Sequence, residues 1–106
     1  MLNKDMENKQ DHLNLLRKIT NKPQSSQREL AGELGFSLGK LNYILKSLKD
    51  KGLIKIKNFE KNKNILNYIY LLTPKGISEK TKLTLNFMKR KMKEYDELKK
   101  ELGKEN

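Results

Sequence analysis

The sequence contains no cysteine, and its only histidine is His12. Without cysteine the chain forms no disulfide, thiolate nucleophile or cysteine-based zinc site, and one histidine cannot build a histidine metal site. No apolar run approaches the roughly 20 residues that a membrane-spanning helix needs. The N-terminal segment also lacks the apolar core of a signal peptide. We therefore predict a cytoplasmic protein with no metal, no cofactor and no membrane partner.

Catalytic patterns are also missing from the sequence. It shows no nucleophile and base pair, no carboxylate dyad and no phosphate-binding loop, and most acidic residues fall on helix faces that are predicted to be exposed. We therefore expect a protein that is not an enzyme.

Acidic residues are scarce: 13 aspartates and glutamates face 24 lysines and arginines, which gives a net charge of +11. More than half of this excess lies between Phe36 and Asn64, where eight lysines are opposed only by Asp50 and Glu60. Such a balance favours a polyanionic partner, nucleic acid before an anionic membrane surface. A solvated lysine-rich surface is the alternative interpretation.

The chain has 106 residues, 35% of them apolar, which is enough for one domain with a thin core. Four short breaks, at 21–23, Gly35, Gly52 and 73–76, divide it into five pieces. The pieces predict a mainly α fold with a β-hairpin wing: a winged helix-turn-helix with a long C-terminal dimerisation helix. We place the DNA-binding domain and its N-terminal helix at 1–76, and the dimerisation helix and tail at 77–106.

The first three pieces have helical periodicity. Leucines and isoleucine recur at helical spacing from about Lys9 to Thr20. Ser26 and Glu29 form a capping box that starts a second helix, which Gly35 ends. Ser37 is expected to cap a third helix that runs to about residue 51, with one apolar face made of Leu38, Leu41, Ile44, Leu45 and Leu48.

Two strand-like segments, 53–59 and 65–72, flank the polar segment 60–64, which predicts a hairpin with a basic loop. Thr73 and Pro74 then begin a helix that is predicted to reach about Leu102. Its apolar residues recur near heptad spacing, and it is longer than so small a domain can cover. We predict a homodimer whose interface contains Leu13, Leu16, Leu85, Met88, Met92 and Tyr95.

Two helices joined by a glycine-containing turn, followed by a basic hairpin, are typical of a winged helix-turn-helix. The major groove of DNA admits one helix, so the third helix would place its polar face against base edges. The N-terminus of this helix would contact a phosphate. Lysines at the wing tip would enter or straddle the minor groove. The predicted DNA contacts are Ser25, Ser37, Gly39, Lys40, Asn42, Tyr43, Lys46, Ser47, Lys61 and Lys63.

Three segments carry a resemblance to a known family: SQRELAGELGFS from Ser26, LKDKGLIKI from Leu48, and YLLTPKGI from Tyr70. They resemble the multiple-antibiotic-resistance regulator (MarR) family, and within it the small regulators associated with exopolysaccharide (EPS) gene clusters. The resemblance implies a homodimer that is joined through terminal helices and binds double-stranded DNA. The wing lacks the aspartate and arginine pair of larger members, so only Lys61 and Lys63 carry over there. The effector is unknown.

The function we predict is therefore a sequence-specific transcriptional regulator, with control of exopolysaccharide genes as the finer hypothesis. A winged-helix module that binds protein or RNA is the alternative, because a fold does not determine a function.

Overall fold

The computed structural model describes residues 4–62 and 65–105, and within them it confirms the predicted fold class. A two-stranded antiparallel sheet follows three helices and precedes a fourth. The elements are α1 (Lys4–Asn21), α2 (Gln27–Leu34), α3 (Leu38–Asp50), β1 (Ile54–Asn62), β2 (Ile65–Leu72) and α4 (Pro74–Glu105). None of the helices in the described ranges has both the length and the apolar character needed to cross a bilayer.

Local capping explains where α2 and α3 begin. The Ser26 Oγ accepts the backbone N–H of Glu29 at 3.1 Å, and the Ser37 Oγ accepts that of Lys40 at 3.0 Å. Each serine thus satisfies one donor that the first helical turn leaves free. Gly35, at φ 71°, ends α2 in the left-handed conformation and turns the chain toward α3.

The core joins all the helices to the base of the hairpin. It contains Leu13, Leu15, Leu16, Ile19, Leu30, Ala31, Leu41, Ile44, Leu45, Leu48, Leu53, Ile54, Tyr70 and Leu83. One member of the predicted α3 face is missing, because Leu38 is 46% exposed. Leu38 lies in the first turn, at the edge of the arc that Leu41, Ile44, Leu45 and Leu48 bury. The prediction that it belongs to the buried face was wrong.

The hairpin differs from the prediction at its tip. Strand β1 continues through Asn62, where a five-residue loop from residue 60 to 64 was expected. Glu60 pairs with Leu66 and Asn62 pairs with Ile65, with a register shift between the two pairs. Pairing satisfies backbone donors and acceptors, and one face of a two-stranded sheet tolerates polar side chains. Residues 63 and 64 lie outside the described residues.

Helix α4 begins against the end of α3. The Thr73 backbone N–H donates to the Leu53 carbonyl at 3.0 Å, and its hydroxyl donates to the Gly52 carbonyl at 2.6 Å. The same hydroxyl oxygen accepts the N–H of Gly76 at 3.0 Å, which caps α4. Since α4 is continuous across residue 76, the division into 1–76 and 77–106 does not coincide with a break in secondary structure and stays a prediction.

Gly76 is required by this junction, because a Cβ atom there would overlap the carbonyl oxygen of Leu53. We expect Gly76→Ala to push α4 away from β1 and to lower the free energy of unfolding by about 1–3 kcal/mol. Gly103→Ala is the matched control, since nothing lies within 4 Å of a Cβ at Gly103. Urea unfolding should show that Gly103→Ala is neutral or stabilising by up to about 1 kcal/mol. Equal effects of the two variants would contradict the close contact at Gly76.

Candidate nucleic-acid interface

The outer face of α3 lies opposite its buried leucines. Gly39, Tyr43, Lys46 and Asp50 are all exposed there, and Tyr43 is 76% exposed. Because the inner face of α3 is held in the core, this outer face is fixed in orientation relative to the domain. The structure therefore presents a helix of 13 residues with a polar, accessible face, as the sequence predicts.

Lys40 has two contacts that the sequence did not reveal. Its Nζ lies 2.9 Å from the Asp11 Oδ2 on α1, and 4.4 Å from the centre of the Phe36 ring. Its side chain still has 47% of its surface exposed. Lys40 is thus a cation at the edge of the α3 face that already has a carboxylate partner. Asp11 lies 29 positions earlier in the chain, and no local pattern indicates the pair.

The other predicted contacts on α2 and α3 differ in accessibility. Ser37 and Asn42 are exposed, whereas Ser47 is only partly accessible. Ser25 is 6% exposed, and its N–H donates to the Lys22 carbonyl at 3.2 Å. Ser25 lies in the turn between α1 and α2, and a side chain this buried offers little surface for contact with DNA. The assignment of Ser25 as a DNA contact was wrong.

The wing supplies further basic residues. Lys61 lies within β1, but its side chain is not among those described, and Lys63 falls outside the described residues altogether. The exposed Lys55 and Lys57 lie nearer the base of β1. Since alternate residues of a strand share a face, these two lysines extend the basic surface of the hairpin on one side.

A cleft of about 720 Å³ lies beside the α3 face, between α1, α3 and the start of α4. Its charged lining is mixed, because lysines from all three helices alternate with Asp11 and Glu79. The Lys75 Nζ donates to the Lys51 carbonyl at 3.0 Å and so links α4 to the end of α3. No group of three histidine, aspartate or glutamate side chains that could hold a metal ion occurs among residues 4–62 and 65–105.

His12 lines this cleft and is only partly accessible. Burial lowers the pKa of its imidazole below the ordinary value, and the Lys51 ammonium lowers the pKa further. The carboxylates of Asp11 and Glu79 raise the pKa, but more weakly. The folded protein therefore disfavours the protonated imidazole.

The residues predicted for the dimer interface fall into two groups. Leu13 and Leu16 are 2% and 0% exposed within the single chain, so they belong to its own core and have no surface to offer a second copy. Their assignment to the interface was wrong, because the stripe on α1 is covered by the other helices of the same chain. In contrast, Leu85, Met88, Met92 and Tyr95 are 50–65% exposed along α4.

Residues 12–55 match the family described as "Winged helix-turn-helix DNA-binding". The fold is a winged helix-turn-helix. In this nomenclature α2 and α3 form the helix-turn-helix, α3 is the recognition helix, and the hairpin of β1 and β2 is the wing. No protein of curated function matches the chain significantly in sequence.

Solved structures of MarR-family regulators share this winged helix-turn-helix. The PcaV transcriptional regulator of Streptomyces coelicolor, solved with its natural ligand, superposes with a TM-score of 0.64 at 15% identity over 74% of this chain. MarR of Staphylococcus aureus, in complex with salicylate and kanamycin, gives 0.63 at 21% identity over 81%. ZitR of Lactococcus lactis, in complex with DNA, gives 0.57 at 21% over 86%. The chain spans only 54%, 56% and 58% of these three proteins, respectively.

The partly buried His12 makes the stability of the winged helix-turn-helix dependent on pH. Its pKa is lower in the folded than in the unfolded chain, so the unfolded chain binds more protons once the pH falls below the ordinary value of 6.5. We expect the free energy of unfolding to fall as the pH decreases from about 7 toward 5, a range in which few carboxylates titrate. Urea unfolding of His12→Gln should show a weaker pH dependence. An unchanged dependence would contradict the assignment to His12.

Proposed function

We propose that the chain is a sequence-specific DNA-binding transcriptional regulator that acts as a homodimer in the cytoplasm. The observation that carries the proposal is the exposed polar face of α3, which lies directly opposite its buried leucines in a winged helix-turn-helix. A helix of this width fits the major groove, and its inner face is already occupied by the core. The net charge of +11 adds attraction to DNA that does not depend on sequence.

In this proposal, different positions on the recognition helix contact different parts of the DNA. Tyr43 and Lys46 lie in the middle of the exposed face and contact base edges, with Asn42 and Ser47 at its two sides. Gly39 adds no side chain, which lets the first turn approach the DNA closely. Ser37 and the N-terminus of α3 donate to a phosphate.

The wing supplies electrostatic affinity in the same proposal. Lys61 and Lys63 are placed by the sequence near the end of the hairpin, where the minor groove would attract cations. Lys55 and Lys57 are exposed along β1 and fit phosphates beside it. An ammonium group attracts phosphate without the planar geometry that reads guanine, so these residues increase affinity more than selectivity.

The DNA complex of ZitR supports this proposal, because that protein shares the fold and binds DNA. The finer hypothesis, control of exopolysaccharide genes, rests only on the resemblance of three sequence segments. It is tested by measuring binding to the upstream DNA of such genes against unrelated promoters. Any effector of the proposed regulator is unknown.

Removing the groove-facing side chains should reduce discrimination between DNA sequences. We expect Tyr43→Ala and Lys46→Ala each to weaken binding to the operator by about 1–3 kcal/mol, with a smaller loss on random DNA. Lys82→Ala is the matched control, because Lys82 is an exposed lysine on α4, away from the α3 face. Gel-shift titrations measure the affinities for operator DNA and for random DNA, and the ratio of the two affinities reports the discrimination. If both variants at the α3 face keep the wild-type ratio, the assignment fails.

Asp11 should restrain DNA binding through its ion pair with Lys40. Asp11→Asn removes a negative charge beside the interface and frees Lys40 for a phosphate. We expect tighter binding, and a slope of log affinity against log salt that is steeper by up to about 2 for a dimer. Glu33→Gln makes the same charge change between Lys18 and Lys22, away from α3, and serves as the control. Weaker binding by Asp11→Asn alone would mean instead that Asp11 orients Lys40 for its contact.

A second candidate function is a winged-helix module that binds protein. It is favoured by two exposed side chains on α3, Leu38 at 46% and Tyr43 at 76%, since large apolar and aromatic groups anchor protein interfaces. The same titrations distinguish the two functions. A protein-binding module would show only weak, salt-sensitive affinity for DNA, with no preference among sequences.

A further inference from the structure

The second half of α4 is not covered by the rest of the single chain. Every residue from Lys91 to Lys104 is exposed, so this half has no face that its own domain covers. An isolated helix of this length is only marginally stable in water, and helices in proteins depend on packing of an apolar face. The second half of α4 therefore lacks, within the single chain, the packing that usually stabilises a helix in a folded protein.

The exposed apolar residues of α4 form one stripe. They recur at intervals of three or four residues, and the stripe contains Leu85, Met88, Met92, Tyr95, Leu98 and Leu102, all 50–65% exposed. Leu85 and Met92 then occupy equivalent heptad positions, as do Met88, Tyr95 and Leu102. Such a stripe fits a second helix that lies nearly parallel or antiparallel to α4.

The charge on α4 is divided between its two halves. Residues 75–93 contain seven basic residues and one acidic residue, a net charge of +6, whereas residues 94–105 contain five acidic and three basic residues, a net charge of −2. A parallel pair of α4 helices would set the two basic halves side by side. An antiparallel pair sets each basic half against the acidic half of the other copy.

We propose that the stripe is covered by α4 of a second copy of this chain, running antiparallel, with Leu102 opposite Leu85 and Tyr95 opposite Met92. The proposal rests on the dimeric regulator proposed above and adds the orientation and register of its interface. The occupant is a second copy because one helix provides both complementary halves, so the same surface serves on each side of a two-fold axis.

The residues that flank the stripe select this register. Lys89 of one copy lies beside Asp96 of the other, and the two-fold axis repeats the pair. Moving the helices by one heptad, so that Leu85 lies opposite Tyr95, brings the two copies of Lys89 together. A parallel pair would place the two copies of Lys99 within the apolar seam, whereas the antiparallel pair places Lys99 opposite Met88.

An apolar groove continues the stripe toward the globular part of the chain. It has a volume of about 550 Å³ and lies between the end of α1, β2 and the first turns of α4, with Leu85 and Thr84 at one end. In the proposed register the last turn of the partner helix, with Leu102, lies at this end of the groove. The interface thus extends from the free half of α4 onto the domain itself.

Disulfide cross-linking of the free protein tests the orientation, because the native sequence has no cysteine. Leu85→Cys and Leu102→Cys replace exposed residues, and circular dichroism checks that each variant folds. We expect a disulfide-linked dimer when the two single variants are mixed and oxidised, and none from either variant alone. A parallel pair gives the opposite result, with each single variant linked to itself. Self-linkage, a monomer by light scattering, or a dimer with no cross-link would each overturn the proposal.

A charge exchange tests the register independently. Lys89→Asp or Asp96→Lys alone places like charges together twice in the dimer, and we expect dimer dissociation to become roughly tenfold easier. The combined Lys89→Asp and Asp96→Lys variant should recover wild-type association. Absence of recovery would overturn the register. Both experiments use protein without DNA, so a failure of the proposed DNA binding would leave their outcomes unchanged and distinguishable.

Discussion

Burial of one face of α3 is the constraint on which the rest of the structure depends. Leu41 and Leu48 are 0% exposed, and Ile44 and Leu45 are 4% or less. Each such side chain contributes about 1.5–3 kcal/mol when removed from water, so this face cannot turn outward without unfolding the domain. The opposite face is thereby fixed toward the solvent. The orientation of the candidate interface follows from the core rather than from any contact of Tyr43 or Lys46.

Features set by neighbouring residues could be read from the sequence, and features set by distant ones could not. The caps at Ser26 and Ser37 depend on residues three positions away, and they were predicted correctly. The pair of Lys40 with Asp11 and the position of His12 depend on how α1 crosses α3, which no local pattern encodes. Ser25 was misassigned for the same reason, because a polar residue in a turn is usually exposed. The loop at the tip of the wing was predicted to be longer than it is, because the pairing of β1 with β2 continues through polar residues.

The thin core and the long final helix both limit how much apolar surface a single chain can bury. A domain of this size buries a smaller fraction of its surface on folding than a larger domain does, and several large apolar residues on α4 remain exposed in the single chain. In the proposed dimer, folding and association would be coupled, because the second half of α4 would gain its tertiary contacts from the other copy. Stability in such a system depends on protein concentration.

The contact between Gly76 and the Leu53 carbonyl links the first turn of α4 to the short segment that joins the recognition helix to β1. With 32 residues at about 1.5 Å each, α4 is about 48 Å long. A tilt of about 5° at the N-terminus of α4 therefore moves its C-terminus by about 4 Å. Conversely, when the C-terminus of α4 is held in place, its N-terminus can tilt very little. In the proposed dimer, holding the ends of the two α4 helices to within a few ångströms of each other would therefore fix the angle between the two recognition helices.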